Sequence, residues 1–218
     1  MNLFDILGPV MVGPSSSHTA GAAKIGYVCR KLLGEEPTQL EIYLHGSFAA
    51  TGEGHGTDKA IVAGVLGMQP DDERIAISFQ IAKERNLKVS VHEIQLKQAH
   101  PNTAQLKLKG THQNTVIVQA ASLGGGRIQI CSLDGLQTNF TGDYPTLIIR
   151  NTDKPGMVAN VATALSMQGI NIATMQLHRD IRGGTAAMVI ESDQPIAQQA
   201  IEKLKKVDGI VRVVYLDG

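Results

Sequence analysis

The sequence predicts an α+β chain: an N-terminal mixed α/β domain followed by a ferredoxin-like βαββαβ module. The stretch 145–218 reads strand, helix, strand, strand, helix, strand, which is the order of a ferredoxin-like unit. Upstream of it, apolar stripes at helical spacing are mixed with alternating, strand-like segments. Between the two, Asp134–Asp143 is polar, rich in turn formers and weakly patterned, so the boundary falls there, with domains at 1–138 and 145–218.

Composition narrows the function classes. The chain has 218 residues, 43% of them hydrophobic, enough for a real core. Its 20 basic and 20 acidic residues cancel, and there is no basic run, which argues against a nucleic-acid partner. No segment approaches the roughly 20 consecutive apolar residues that a membrane-spanning helix needs. The start, Met1-Asn2-Leu3-Phe4-Asp5, lacks the basic opening of a signal peptide, and a cytoplasmic location is expected. Cys29 and Cys131 are far apart and show no metal-ligand spacing, so no metal site is expected on this chain. Cys29, inside a predicted helix, reads as a small core residue.

In order, residues 3–7 form an apolar turn ending at Gly8-Pro9. A helix is predicted over 18–33, with Ile25, Val28 and Leu32 on one face and Gly34 as a left-handed stop. Gly21 and Gly26 weaken that helix intrinsically, which points to close approach of another backbone or a ligand. Residues 38–45 alternate as a half-buried strand. Thr51-Gly52-Glu53-Gly54-His55-Gly56-Thr57-Asp58 then reads as a thin, glycine-rich loop, with Thr57 as N-cap of a helix over 58–67. It is not a dinucleotide fingerprint, because the third glycine comes one residue early. A helix over 71–85 and strands over 87–94, 104–109, 115–121 and 127–131 follow, the last two joined by Gly124-Gly125-Gly126. That triple glycine lacks the Gly-Lys-Ser/Thr of a phosphate loop. His92 and His112 sit in strand-like surroundings and read as structural, and His100 stands in an ordinary turn.

The densest chemistry lies in Gly13-Pro14-Ser15-Ser16-Ser17-His18-Thr19. Pro14 fixes its own φ and biases Gly13 away from helix. Any of the serines can cap the helix that follows, and the free N–H groups there suit a carboxylate. His18 adds a side chain that exchanges protons near neutral pH. This stretch resembles the N-terminal signature of bacterial iron–sulfur-dependent L-serine dehydratases. The stretches His45-Gly46-Ser47 and Thr51-Gly52-x-Gly54-His55-Gly56-Thr57-Asp58 are similar to that family too. Length and the C-terminal module match the beta chain of its two-subunit form, and the regulatory domain of some phosphoglycerate dehydrogenases is related in fold.

The resemblance implies a lyase that converts L-serine to pyruvate and ammonia at a site shared between two chains. It implies a [4Fe–4S] cluster held by the partner alpha chain, since clusters usually take three or four thiolates and this chain has two cysteines. His18 and His55 are then this chain's candidates for the base that removes the α-proton. Ser15, Ser16, Ser17 and Thr19 are candidates to hold the substrate, and Asp58 to orient or pair with a histidine. The isolated chain is expected to be inactive. A different reading is a non-enzymatic, amino-acid-binding and dimerising regulator, in which the serines are only a helix cap. A self-contained serine hydrolase is disfavoured, because adjacent serine and histidine do not reach triad geometry and no Gly-x-Ser-x-Gly elbow exists.

In the C-terminal module, a strand at 146–150 leads through Asn151-Thr152-Asp153-Lys154-Pro155-Gly156 to a helix over 157–168, with Pro155 suited to the first helical position. Strands at 170–177 and 185–191, a helix over 195–206 and a strand at 211–216 complete it. Asn151-x-Asp153-x-Pro155-Gly156 and Gly169-Ile170-Asn171-Ile172 resemble the ACT domain, a small amino-acid-sensing module. By that resemblance Asp153, Gly156 and Asn171 are effector-binding candidates and homodimerisation through one or both domains is expected. Asp-x-Pro-Gly is equally good turn chemistry on its own.

Overall fold

The computed structural model describes residues 10–13 and 15–218, apart from the side chains of 52–55. The chain divides into two compact units after Gly135.

The first unit is a mixed sheet with helices on one face. A turn of π-helix, Ser16–Gly21, runs into α1 (Ala22–Leu33), which stops at Gly34 in the left-handed conformation the sequence predicts. Strand β1 (Pro37–Leu44) follows, then α2 (Ser47–His55), α3 (Thr57–Val65), a 3-10 turn at Glu73–Ile77, and α4 (Ser78–Glu84). Strands β2 (Lys88–Glu93), β3 (Thr103–Gly110), β4 (Thr115–Gly124) and β5 (Arg127–Leu133) complete the unit. They stand in the order β2-β1-β3-β4-β5. β1 and β2 pair in parallel, which is why three helices lie between them in sequence.

Register places the apolar residues on one side. Leu40, Ile42 and Leu44 stand opposite Leu108, Leu106 and Ala104, and Leu106 and Leu108 stand opposite Val118 and Val116. All are buried. Helix α1 lies against β3 and β4, and α3 crosses α1. Glycines set that crossing: a Cβ on Gly26 would meet the Ile61 carbonyl oxygen at 2.2 Å, and one on Gly64 would meet that of Ala23 at 1.9 Å. Cys29 is fully buried, and burial pushes its thiol pKa far up, as a core residue requires.

Three expectations need correction. The glycine-rich stretch after His45 is helix α2, not a loop. Thr57 does not cap α3: Gly56 does so in a left-handed conformation, and the buried Thr57 hydroxyl has no hydrogen-bond partner among the described residues. The helix expected over 71–85 is broken into the 3-10 turn and α4, with Asp72 capping the turn.

The second unit opens with β6 (Leu136–Phe140), a strand inside the stretch read as boundary. Then come β7 (Thr146–Thr152), α5 (Met157–Ser166), β8 (Ile172–Arg179), β9 (Thr185–Ser192), α6 (Gln198–Lys205) and β10 (Ile210–Leu216). The antiparallel sheet has the order β10-β7-β9-β8, as a ferredoxin-like unit requires. Val161 and Leu165 of α5 and Ile201 and Leu204 of α6 pack on Leu147, Ile149, Met188 and Ile190. Gly156, at φ +89°, caps α5, so Pro155 lies before the helix and not at its first position.

Candidate active site

The serine-rich stretch is a tight turn held from several sides. Ser15 is the N-cap: its Oγ accepts the backbone N–H of His18 at 3.2 Å and lies 3.2 Å from His18 Nδ1. Ser16 Oγ accepts the N–H of Gly125, in the left-handed Gly124–Gly126 turn. The Ser17 carbonyl accepts from the buried Ser122 hydroxyl at 3.0 Å. Gly21 lets Ser122 sit there, since a Cβ on it would fall 2.1 Å from Ser122 Oγ. Thr19 is buried, and its Oγ1 has no hydrogen-bond partner among the described residues.

His18 projects from this turn toward α2. Its Nε2 lies 3.0 Å from Thr51 Oγ1 and 3.3 Å from Ser47 Oγ. Thr51 Oγ1 in turn donates to the Ser47 carbonyl at 2.8 Å. The Phe48 ring, fully buried, meets the imidazole edge-on at 5.2 Å. The ring is thus gripped at both nitrogens by hydroxyls and held at its edge by an aromatic wall, an arrangement that fixes a proton-exchanging group.

Among the sequence candidates, Ser15 and His18 come together directly, while Ser16 and Ser17 bond through the turn to the β4–β5 connection and to β4. His55 ends α2, and its side chain lies outside the described residues. Asp58 Oδ1 accepts the Lys59 N–H in the first turn of α3. Ser47, Phe48, Thr51 and Ser122 were not singled out as site residues. Ser47 and Thr51 are four apart on one helix face, a signal that Gly52 and Gly54 conceal.

The fit to an iron–sulfur cluster is poor on this chain. Among the described residues no group of three or more His, Cys, Asp or Glu is placed to hold a metal ion. Cys131 is half-buried, with its thiol directed at the Gln129 carbonyl, and burial raises its pKa.

In the second unit, a cavity of about 490 Å³ opens beside the β7–α5 loop, lined by Asn151, Asp153, Lys154, Gly156 and Met157 among others. Asp153 accepts the Gly183 N–H and pairs with Arg179, and both hold its carboxyl below the usual range. Asn151 is buried, and its Oδ1 has no partner among the described residues. Asn171 stands apart from this cavity and donates to Asp193.

Comparison with known proteins gives the context. The serine dehydratase beta chain family model matches residues 2–121, and the ACT domain model matches residues 146–209. A probable L-serine dehydratase beta chain of Bacillus subtilis is 40% identical, over 99% of this chain and 97% of its own. The L-serine dehydratase beta chain of Peptoniphilus asaccharolyticus is 34% identical, over 98% and 97%. A D-3-phosphoglycerate dehydrogenase of Bacillus subtilis is 28% identical over 90% of this chain but only 37% of its own. Among solved structures, the ACT domain of the Chlorobium tepidum GTP pyrophosphokinase covers 33% of this chain and 95% of its own, with 25% identity and a TM-score of 0.27. With a family model over more than half its length and full-length relatives above 30% identity, the chain belongs to the serine dehydratase beta chain family.

Proposed function

We propose that this chain is the beta subunit of a two-chain L-serine dehydratase, which converts L-serine to pyruvate and ammonia together with an alpha subunit. The observation that carries the reading is His18, held at both ring nitrogens by Ser15, Ser47 and Thr51 where the serine-rich turn enters α1. The full-length relatives named as beta chains support it, and that name implies an alpha partner. The [4Fe–4S] cluster is assigned to the alpha chain, because the described residues here offer no holder for it.

This chain's own part is binding and proton transfer. The turn Ser15–Ser17 presents hydroxyls and N–H groups at a helix start, which suit the substrate carboxylate. His18 takes the α-proton of L-serine as the β-hydroxyl departs as hydroxide, which takes up that proton to leave as water and restores the base; the enamine left behind tautomerises to an imine. Water then hydrolyses the imine to pyruvate and ammonia. General-base help of this kind is worth about 10²–10⁴-fold. In the second unit, Asn151 Oδ1, which has no partner among the described residues, and the backbone around Gly156 suit the ammonium and carboxylate of a small amino acid in the 490 Å³ cavity.

The test is anaerobic co-expression with the alpha chain and assay of pyruvate from L-serine, each chain alone serving as control. Activity only in the mixture, abolished by His18→Ala in an intact heteromer, is the expected result. Full-rate turnover by the alpha chain alone would instead make this chain an amino-acid-binding regulatory subunit.

A further inference from the structure

We propose that Thr51 is a positioning residue that sets the tautomer of His18: it holds the proton on Nε2 and leaves the lone pair on Nδ1. The proposal concerns the same site and rests on the reading of His18 as the base for its catalytic consequence. The tautomer itself stands on geometry alone.

The argument is an inventory of hydrogens. A threonine hydroxyl has one hydrogen to donate and lone pairs to accept. Thr51, in the middle of α2, donates that hydrogen to the Ser47 carbonyl one turn back, at 2.8 Å. This back-bond is a usual choice for a helical threonine. What remains on Oγ1 for His18 Nε2, 3.0 Å away, is a lone pair. Nε2 must therefore carry a hydrogen, and Ser47 Oγ at 3.3 Å accepts a second share of it. At the other side of the ring, Ser15 Oγ already accepts the His18 backbone N–H, and its own hydrogen is directed to Nδ1 at 3.2 Å. The hydrogens on Thr51 Oγ1, His18 Nε2 and Ser15 Oγ then each meet an acceptor in these contacts. In the opposite tautomer the Nε2 lone pair would face the Thr51 lone pair at 3.0 Å, and Ser47 Oγ would have to donate across its longer 3.3 Å contact.

The consequence is directional. The nitrogen able to take a proton is the one facing Ser15, on the side of the serine-rich turn, where the substrate carboxylate is placed. When Nδ1 takes the proton, the Ser15 hydroxyl turns from donor to acceptor and frees its own hydrogen for whatever lies in that turn. Ser15 is thus both the cap of the π-helical turn and the partner that switches with the protonation of His18.

The experiment uses long-range ¹H–¹⁵N NMR of the labelled full chain, with the His18 ring signals assigned by their loss in His18→Ala. At high pH the wild type should show a pyrrole-type Nε2 and a pyridine-type Nδ1; the reverse pattern overturns the proposal without any variant. Thr51→Val removes an acceptor needed by both the Nε2–H tautomer and the imidazolium. It should raise the Nδ1–H fraction and lower the His18 titration midpoint by about 0.5–1 pH unit, the equivalent of one modest hydrogen bond. Thr51→Ser should restore both. A midpoint that moves up in Thr51→Val would show that the hydroxyl was donating to Nε2, and sink the assignment. Ser47→Ala, which removes only the weaker acceptor, should move the midpoint in the same direction by less. In the reconstituted heteromer, Thr51→Val should lower kcat about tenfold with KM for L-serine held, and Thr51→Ser should recover it. Wild-type kcat in Thr51→Val beside an inactive His18→Ala overturns the positioning role. Near-normal turnover by His18→Ala removes the base reading instead and leaves the tautomer to be decided by the NMR signature.

Discussion

Gly64→Ala in α3 should destabilise the first unit, although helix propensity predicts the opposite. In an isolated helix, alanine is better than glycine by about 1 kcal/mol. Here the new Cβ would fall 1.9 Å from the Ala23 carbonyl oxygen and 2.7 Å from the Tyr27 nitrogen. Both are backbone atoms of α1, so neither can rotate away. Ordinary contact requires about 3.4 Å, and the two helices must therefore part by about 1.5 Å. Overpacking of this kind costs about 3 kcal/mol at the upper end of its usual range. Net of the propensity gain, the loss is about 2 kcal/mol, or about 6 °C in Tm for a unit of this size. Urea and thermal denaturation followed by circular dichroism measure both. Gly26→Ala, whose Cβ would meet the Ile61 carbonyl oxygen at 2.2 Å, opens the same crossing. Once it is open, the second alanine meets less resistance, so the double variant should lose clearly less than the sum of the two. A neutral or stabilised Gly64→Ala, or strict additivity, would refute the close-crossing account.

Two further substitutions probe the scaffold. Ser122→Ala removes the donor to the Ser17 carbonyl and should cost about 1 kcal/mol, seen as a lower urea midpoint; an unchanged midpoint would mean that this hydroxyl does not hold the serine-rich turn. Asp72→Asn tests an acid-sensitive cap: hydrogen bonds from the Arg74 side chain and backbone hold the Asp72 carboxyl down to about 2. A depressed carboxylate contributes stability that is full above its unfolded value near 4 and is lost as pH falls toward 2. The gap in urea midpoint between wild type and Asp72→Asn should therefore be constant from neutral pH to about 5 and close below it; a gap that persists at pH 2 would show that charge is not its source.

Much of the fold was legible because it rests on periodicity. The ferredoxin-like order of the second unit follows from short apolar runs in β7, β9 and β10 and from stripes such as Val161–Leu165 and Ala200–Leu204. The stop at Gly34 and the Gly124–Gly126 turn follow from glycine's access to positive φ, which both use. Helix α2 was hidden because its stabilisation is tertiary. Gly52 and Gly54 lower its propensity, while the fully buried Phe48 anchors it. Missing that helix also concealed the pairing of Ser47 and Thr51 on one face. Ser122 could not be found locally at all, since its role depends on a strand more than a hundred residues away packing on the turn at Gly21. In the second unit, Asp153 and Gly156 line one cavity, whereas Asn171 bonds to Asp193.

The base role proposed for His18 would give the choice of hydroxyls around it a physical reason. A general base must exist in two protonation states during each turnover, and its surroundings must accept both. A carboxylate against the imidazole would favour the charged form and make the base slower to release its proton. At the exchanging nitrogen a backbone carbonyl could only accept and an amide N–H could only donate, so either would suit one state of that nitrogen alone. A hydroxyl does both by rotation. With Ser15 at Nδ1 able to reverse its role, and Thr51 at Nε2 kept from reversing by its bond to the Ser47 carbonyl, one nitrogen is free to exchange and the other is not. That asymmetry makes Ser15 and Thr51 non-equivalent despite their similar chemistry. Loss of the Ser15 hydroxyl should alter how the proton moves, whereas loss of the Thr51 hydroxyl should alter where it resides.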